Sequence, residues 1–189
     1  MAQAKFPDHF NYLLVPGYGG IEFKHWIRSW ARILPNCHVL RQTNFQAPDC
    51  PLWMQALHNK LLSLTDKPTV IIAHSLGVCT SLHYLKKHKA EGIAALLLVA
   101  MPEPERHEFH DGTWKAFLPL PDSQIKQPAR FVYSENDEYC TVSNSLEWAK
   151  KLNIEPVSAG ESGHIGSSAA LGEWEVGQNI LIQLLKSME

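Results

Sequence analysis

The chain has 189 residues, of which 45% are hydrophobic and 19% are charged, with a net charge of −2 and a sequence pI near 6.5. This length and composition suit one globular domain with a sizeable core. No basic stripe is present to attract phosphates, so nucleic-acid binding is disfavoured.

The first ten residues lack the apolar core of a signal peptide. The longest apolar run, residues 93–101, is far too short to cross a bilayer. We therefore expect a cytoplasmic protein with no membrane partner. The four cysteines, at positions 37, 50, 79 and 140, lack the spacing of a structural zinc site and are expected to be free thiols.

Strand-like and helix-like patterns alternate along the chain. An apolar run at 12–15 predicts the first strand, which ends at the turn 16–20 (PGYGG). Further apolar and β-branched runs predict strands at 37–41, 69–72, 93–101, 129–134 and 154–158. Apolar residues at helical spacing predict helices around Trp26 and Trp30, and at 51–64, from 76 onward, at 142–152 and at 176–188.

Six strands alternating with helices predict an α/β fold: a mostly parallel sheet covered on both faces, in a single domain over residues 1–189. The longest stretch without clear periodicity is 102–127. Functional groups gather at the carboxyl ends of the strands in such sheets. Three strand ends therefore matter most: the turn at 16–20, Ser75, and residues 134–137 (SEND).

The segment 69–77 (TVIIAHSLG) is the most informative part of the chain. A β-branched strand runs into Ser75, and a helical pattern follows it. Ala73 and Gly77 flank the serine two positions away on each side, where only small residues avoid a clash. This is the context of the nucleophile elbow, G-x-S-x-G, with alanine in place of the first glycine.

A serine becomes a strong nucleophile only when a base removes its proton. In α/β-hydrolases the chain order is Ser, then Asp or Glu, then His. His164, in a glycine-rich loop after the last strand, is the expected base. Asp137, after strand five, is the expected acid. The rival acids are Glu135 and Glu138 beside it, and Glu103 and Glu105 after strand four.

Two backbone N–H groups are expected to hold the oxyanion, one from Leu76 and the other from Gly17 or Tyr18. Trp114 and Phe117, in the long loop, are candidates for an acyl or alcohol pocket.

The run at 107–111 (HEFHD) invites comparison with a metal cluster. Its polar, unpatterned surroundings favour a solvated loop. We therefore expect no metal and no cofactor.

Several motifs resemble the small serine hydrolases typified by retinoblastoma-binding protein nine and the bacterial YdeN-like proteins. They are PGYGG at 16–20, HW at 25–26, AHSLG at 73–77, VAMPE at 99–103, SENDEYC at 134–140, GHI at 163–165 and LGEW at 171–174. The resemblance implies a minimal α/β-hydrolase fold with no large cap domain, and places the triad on Ser75, Asp137 and His164. Glu138 stands where the family often has proline. None of the four cysteines fits a Leu-x-Cys-x-Glu element, so binding to a retinoblastoma-type partner is not expected.

The expected function is hydrolysis of small esters, and possibly thioesters or amides, through an acyl-enzyme. The alternative is a weak or idle hydrolase-fold protein that serves as an interaction module, because a fold does not fix a function. The sequence leaves the oligomeric state and the physiological substrate open.

Overall fold

The computed structural model describes residues 6–105 and 110–188. Six strands form one sheet in the order β2-β1-β3-β4-β5-β6, and every neighbouring pair is parallel. The strands are β1 (Asn11–Val15), β2 (Cys37–Val39), β3 (Thr69–His74), β4 (Ile93–Val99), β5 (Ala129–Tyr133) and β6 (Glu155–Ser158). This architecture confirms the predicted α/β fold.

Helices cover both faces of the sheet, as a parallel sheet requires. They are α1 (Trp26–Ile33), α2 (Cys50–Leu62), α3 (Leu76–Lys87), α4 (Val142–Leu152) and α5 (Glu175–Lys186). Two 3₁₀ segments, His110–Phe117 and Ser167–Ala169, interrupt the longer connections. The helices α1 and α5 pack on one face, and α2, α3 and α4 pack on the other. Among the described residues, no helix is long and apolar enough to cross a membrane.

Element boundaries differ from the predicted ones by a few residues, for local reasons. The helix α2 begins at Cys50 because the carboxylate of Asp49 accepts a hydrogen bond from Leu52 N at 2.9 Å. The strand β4 ends at Val99 because Ala100 takes a positive φ of 50°. The strand β2 is only three residues long, shorter than the predicted 37–41.

The order of the strands places a crevice above β1 and β3. From β1 the chain crosses to β2 on one side, and later strands extend on the other side, so the direction of winding reverses at β1. Ligands in open α/β sheets bind at such a switch point, outside the carboxyl ends of the strands. The turn at 16–20 and Ser75 both emerge at this place.

Candidate active site

Ser75 occupies a strained turn between β3 and α3. Its φ of 57° and ψ of −128° lie outside the regions that residues other than glycine normally adopt. The start of α3 approaches β1 so closely that a methyl group on Gly77 would lie 2.2 Å from the carbonyl oxygen of Val15. Ala73 carries its methyl in a fully buried position. The elbow therefore requires glycine at position 77 but accommodates alanine at position 73.

A chain of hydrogen bonds joins Ser75, His164 and Asp137. The hydroxyl of Ser75 donates to His164 Nε2 at 2.8 Å. On the other side of the ring, His164 Nδ1–H donates to the two carboxylate oxygens of Asp137 at 2.9 and 3.0 Å. The side chain of Asp137 is only 3% exposed, whereas that of His164 is 13% exposed. The structure thus assembles the three residues in the geometry of a serine nucleophile, its base and an orienting acid.

The rival carboxylates lie in other environments. Glu103 is buried and accepts a hydrogen bond from Thr141 N at 2.8 Å, which ties the segment after β4 to the start of α4. Glu135 accepts a hydrogen bond from the hydroxyl of Ser158 at 2.8 Å. Glu105 is exposed, and Glu138 lines the cleft described below.

The loop that carries His164 is held by two aromatic N–H groups. His74 Nε2–H donates to the carbonyl oxygen of His164 at 2.9 Å, and Trp26 Nε1–H donates to that of Ile165 at 2.8 Å. These consecutive carbonyls belong to a tight turn, in which Gly163 and Ile165 have φ values of 53° and 49°. Donors from β3 and α1 therefore fix the backbone that aims the His164 ring at Ser75.

Three imidazole rings lie together beneath the cleft. The His74 ring meets the His25 ring edge-to-face at 4.8 Å and lies 5.1 Å from that of His164. Burial, followed by the charge of the neighbouring His164, lowers the pKa of His25 to about 4. Burial also holds the pKa of His74 well below its ordinary value. Both rings are therefore neutral near pH 7 and do not oppose a positive charge on His164.

The backbone beside Ser75 fits an oxyanion hole. Leu76 is the first residue of α3, so its N–H has no acceptor within the helix and lies at the positive end of the helix dipole. The turn after β1 packs against it: a methyl on Gly17 would lie 2.6 Å from Ser75 Cβ and 3.0 Å from Leu76 N. Gly17 is therefore placed within reach of an oxygen bound at Leu76 N, and Tyr18 follows it in the chain and lines the cleft.

A cleft of about 320 Å³ opens over Ser75 and His164. One wall is aromatic: the ring of Trp114 lies 5.9 Å from Tyr18 and 5.4 Å from Tyr139, and Tyr139 lies 4.5 Å from His164. The rest of the lining is mostly polar and includes Glu22, Gln46, Glu138, Ser167 and Ser168. The cleft can thus receive a small substrate with one flat or apolar face.

Comparisons with known proteins agree with this geometry. The family model described as serine hydrolase matches residues 12–183, which is most of the chain. The chain belongs to the serine hydrolase family. The resemblance predicted from the sequence motifs is therefore confirmed.

Three solved structures are similar to this serine hydrolase. A YdeN-like hydrolase from Pectobacterium atrosepticum is 30% identical, with a TM-score of 0.82 over 95% of this chain and 92% of its own. The ydeN gene product of Bacillus subtilis is 16% identical, with a TM-score of 0.78 over 94% and 98%. The type II thioesterase BorB, from the borrelidin biosynthetic cluster, is 18% identical, with a TM-score of 0.65 over 98% and 94%. The last two show the shared fold alone. A comparison with curated proteins gives no match.

The two predicted pocket residues of the serine hydrolase have different positions. Trp114 lines the cleft. Phe117 lies instead in the core, fully buried, with its ring 5.7 Å from that of Trp53 on α2. The 3₁₀ segment ends over α2 at this point, and burial of an apolar ring is favourable there.

Two further groups of histidines follow Ser75 in the chain. Residues 107–109 of the run 107–111 lie outside the described part of the chain, as do the side chains at 110 and 111. Among the residues that are described, no group of His, Cys, Asp or Glu is arranged to hold a metal ion. His83 and His88, on and after α3, point away from Ser75: His83 Nε2–H donates to Phe117 O at 2.8 Å, and His88 stacks on Tyr84 at 4.6 Å.

Sequence reasoning missed the residues that support the His164 loop. His74 donates to the carbonyl of His164, 90 residues further along the chain, and Trp26 donates to that of Ile165, 139 residues further along. The one signal for His74 in the sequence was that it is a polar residue directly before Ser75. Trp26 carried no signal beyond its place in a motif that resembles the family.

Proposed function

We propose that this serine hydrolase cleaves small carboxylic esters through an acyl-enzyme on Ser75, with thioesters and amides as alternative substrates. The observation that carries the proposal is the unbroken chain of hydrogen bonds from Asp137 through His164 to Ser75. This arrangement provides a nucleophile, a base and an acid that fixes the tautomer of the base.

In the first step, Ser75 Oγ attacks the carbonyl carbon of the substrate while His164 Nε2 accepts the hydroxyl proton. The oxyanion is stabilised by the Leu76 amide and by that of Gly17 or Tyr18. Asp137 stabilises the imidazolium that forms. As the intermediate collapses, the bond to the leaving group breaks, and His164 returns the proton to the departing oxygen, sulfur or nitrogen.

The second step repeats this chemistry with water. His164 removes a proton from a water molecule, whose oxygen attacks the acyl carbon bound to Ser75. The acyl–oxygen bond then breaks, the proton returns to Ser75 Oγ, and a carboxylic acid leaves. No group beyond these side chains and backbone amides is needed for the balance of atoms and charge.

Small substrates are favoured by the volume of the cleft, about 320 Å³. The aromatic wall of Trp114 and Tyr139 suits a short acyl or alcohol group. Likeness to a thioesterase at 18% identity concerns the fold, so it does not rank thioesters above esters.

The test is reaction with a fluorophosphonate probe, followed by turnover of matched p-nitrophenyl ester, thioester and anilide substrates. Ser75→Ala should abolish labelling and reduce turnover by about 10⁴-fold or more. Ser81→Ala is the matched control, because Ser81 is also buried on α3 but its hydroxyl donates to Gly77 O at 2.8 Å. It should label like the wild type.

Two outcomes would contradict the proposal. Labelling that persists in Ser75→Ala would place the nucleophile elsewhere. A folded wild-type protein that neither labels nor turns over any of the three substrates would favour the idle, interaction-module alternative.

A further inference from the structure

A second cavity, of about 330 Å³, lies at the end of α3 opposite to Ser75. One wall is formed by the last turns of α3 and the residues after it, up to Ala90. The other wall is formed by Pro121 and residues 123–127, which lead into β5, whereas Asp122 is exposed and is not part of the lining. Lys86 is eleven residues beyond Ser75, so about 16 Å of helix separates the two sites. The two cavities share no lining residue.

The floor of this cavity is apolar. It is formed by Leu82, Leu85, Ala90, Pro121 and Ile125. Leu82 and Ile125 are 3% and 7% exposed, so they belong to the core and form a fixed surface. An apolar chain placed on this floor would be removed from water on that side.

The rim of the cavity is basic. Lys86, Lys89 and Lys126 line it together with His88, and no carboxylate is part of the lining. Within the described part of the chain, none of these three lysines forms an ion pair with an acidic side chain. The net charge of the chain is −2, so three unpaired ammonium groups around one cavity are a local excess of positive charge. They create a positive potential that attracts anions.

We propose that this cavity binds an amphipathic monoanion, a medium-chain carboxylate such as decanoate. Its apolar chain would lie on Leu82 and Ile125, and its carboxylate would lie among the ammonium groups of Lys86, Lys89 and Lys126. Neither half of the lining alone specifies such a ligand; charge and apolar surface together do. The volume is at the lower end of the range for ligand pockets, about 300–1,000 Å³, which favours a single short chain. The proposal does not depend on hydrolysis at Ser75.

The experiment is isothermal titration of decanoate, below its micelle-forming concentration, into the wild type and into two charge-reversed variants. Lys86→Glu/Lys126→Glu removes the proposed site. Lys150→Glu/Lys186→Glu is the matched control, because it changes the same number of exposed lysines that form no ion pair with any described residue, on the helices α4 and α5. Decanoate should bind at least tenfold more weakly to the first variant and with unchanged affinity to the second. Lys86→Gln/Lys126→Gln provides a milder second variant, with a smaller loss expected.

Two further ligands separate the contributions of charge and chain. Decanol has the same chain without the charge, and acetate has the charge without the chain. Each should bind at least tenfold more weakly than decanoate. The proposal would be overturned by equal binding of decanol, by equal binding of acetate, or by no saturable decanoate binding to the wild type. Decanoate affinity that is unchanged in Lys86→Glu/Lys126→Glu would likewise assign the binding to another place, such as the cleft over Ser75.

Discussion

The hydrogen bond from His74 to the backbone of His164 predicts that His74, the residue before Ser75, positions His164. Replacing His74 with leucine leaves the carbonyl oxygen of His164 without the donor now 2.9 Å away. This bond is only partly buried, so its loss should cost no more than the roughly 1–3 kcal/mol of an unsatisfied buried acceptor. The loss also frees the turn that keeps His164 Nε2 within 2.8 Å of Ser75 Oγ.

The expected effect on catalysis is a fall in kcat of about 10- to 100-fold, because a displacement of about 1 Å in a catalytic group can cost about 100-fold. KM should change much less, because the loss concerns the base. A merely structural role for His74 would lower the melting temperature and leave the kcat of the folded protein near the wild-type value.

Two variants serve as controls in steady-state assays of the same ester from pH 5 to 9. His74→Gln keeps an N–H donor close to the place of the imidazole Nε2 and should recover most of the kcat. His83→Leu removes a comparable bond, 2.8 Å long, from a histidine to the carbonyl of Phe117, and should leave kcat near the wild-type value. The reasoning fails if His74→Leu keeps full kcat, or if His83→Leu loses as much.

Three more predictions follow from the same contacts. Asp137→Asn should lower kcat for ester hydrolysis by at least 10³-fold. Glu135→Gln should leave kcat near the wild-type value, because the carboxylate of Glu135 accepts a hydrogen bond from a serine outside the cleft. Equal losses of kcat in both variants would contradict the assignment of Asp137 as the acid. Gly17→Ala should abolish phosphonate labelling without unfolding the protein, because its methyl would lie 2.6 Å from Ser75 Cβ; normal labelling would contradict this contact. Burial lowers the pKa of His25 from 6.5 to about 4, so the unfolded state binds more protons between these values and stability falls as the pH drops. At pH 5 the free energy of unfolding should be lower than at pH 7 by about 2 kcal/mol because of His25. Urea unfolding at the two pH values should show this difference. His25→Asn, which keeps an acceptor for the N-cap of α1, should not lose this roughly 2 kcal/mol.

The sequence determined the features that depend on local chemistry and on chain order. Apolar runs alternating with helical patterns specified a parallel sheet, because each strand must be buried on both faces. Small residues at 73 and 77 identified Ser75, because the sharp turn excludes larger side chains there. The order of strand ends then led to Asp137 and His164 as candidates, since a parallel sheet brings those ends to one edge.

Only the tertiary structure decided which neighbours those residues have. Asp137 and Glu135 are alike in local pattern, yet one carboxylate meets His164 and the other meets a serine. Trp114 and Phe117 lie three residues apart, and one lines the cleft while the other enters the core. The bond from His74 to the His164 loop joins residues 90 positions apart. Periodicity reports which face of an element is buried, but a contact between distant segments depends on how the elements pack together, and no local pattern encodes that.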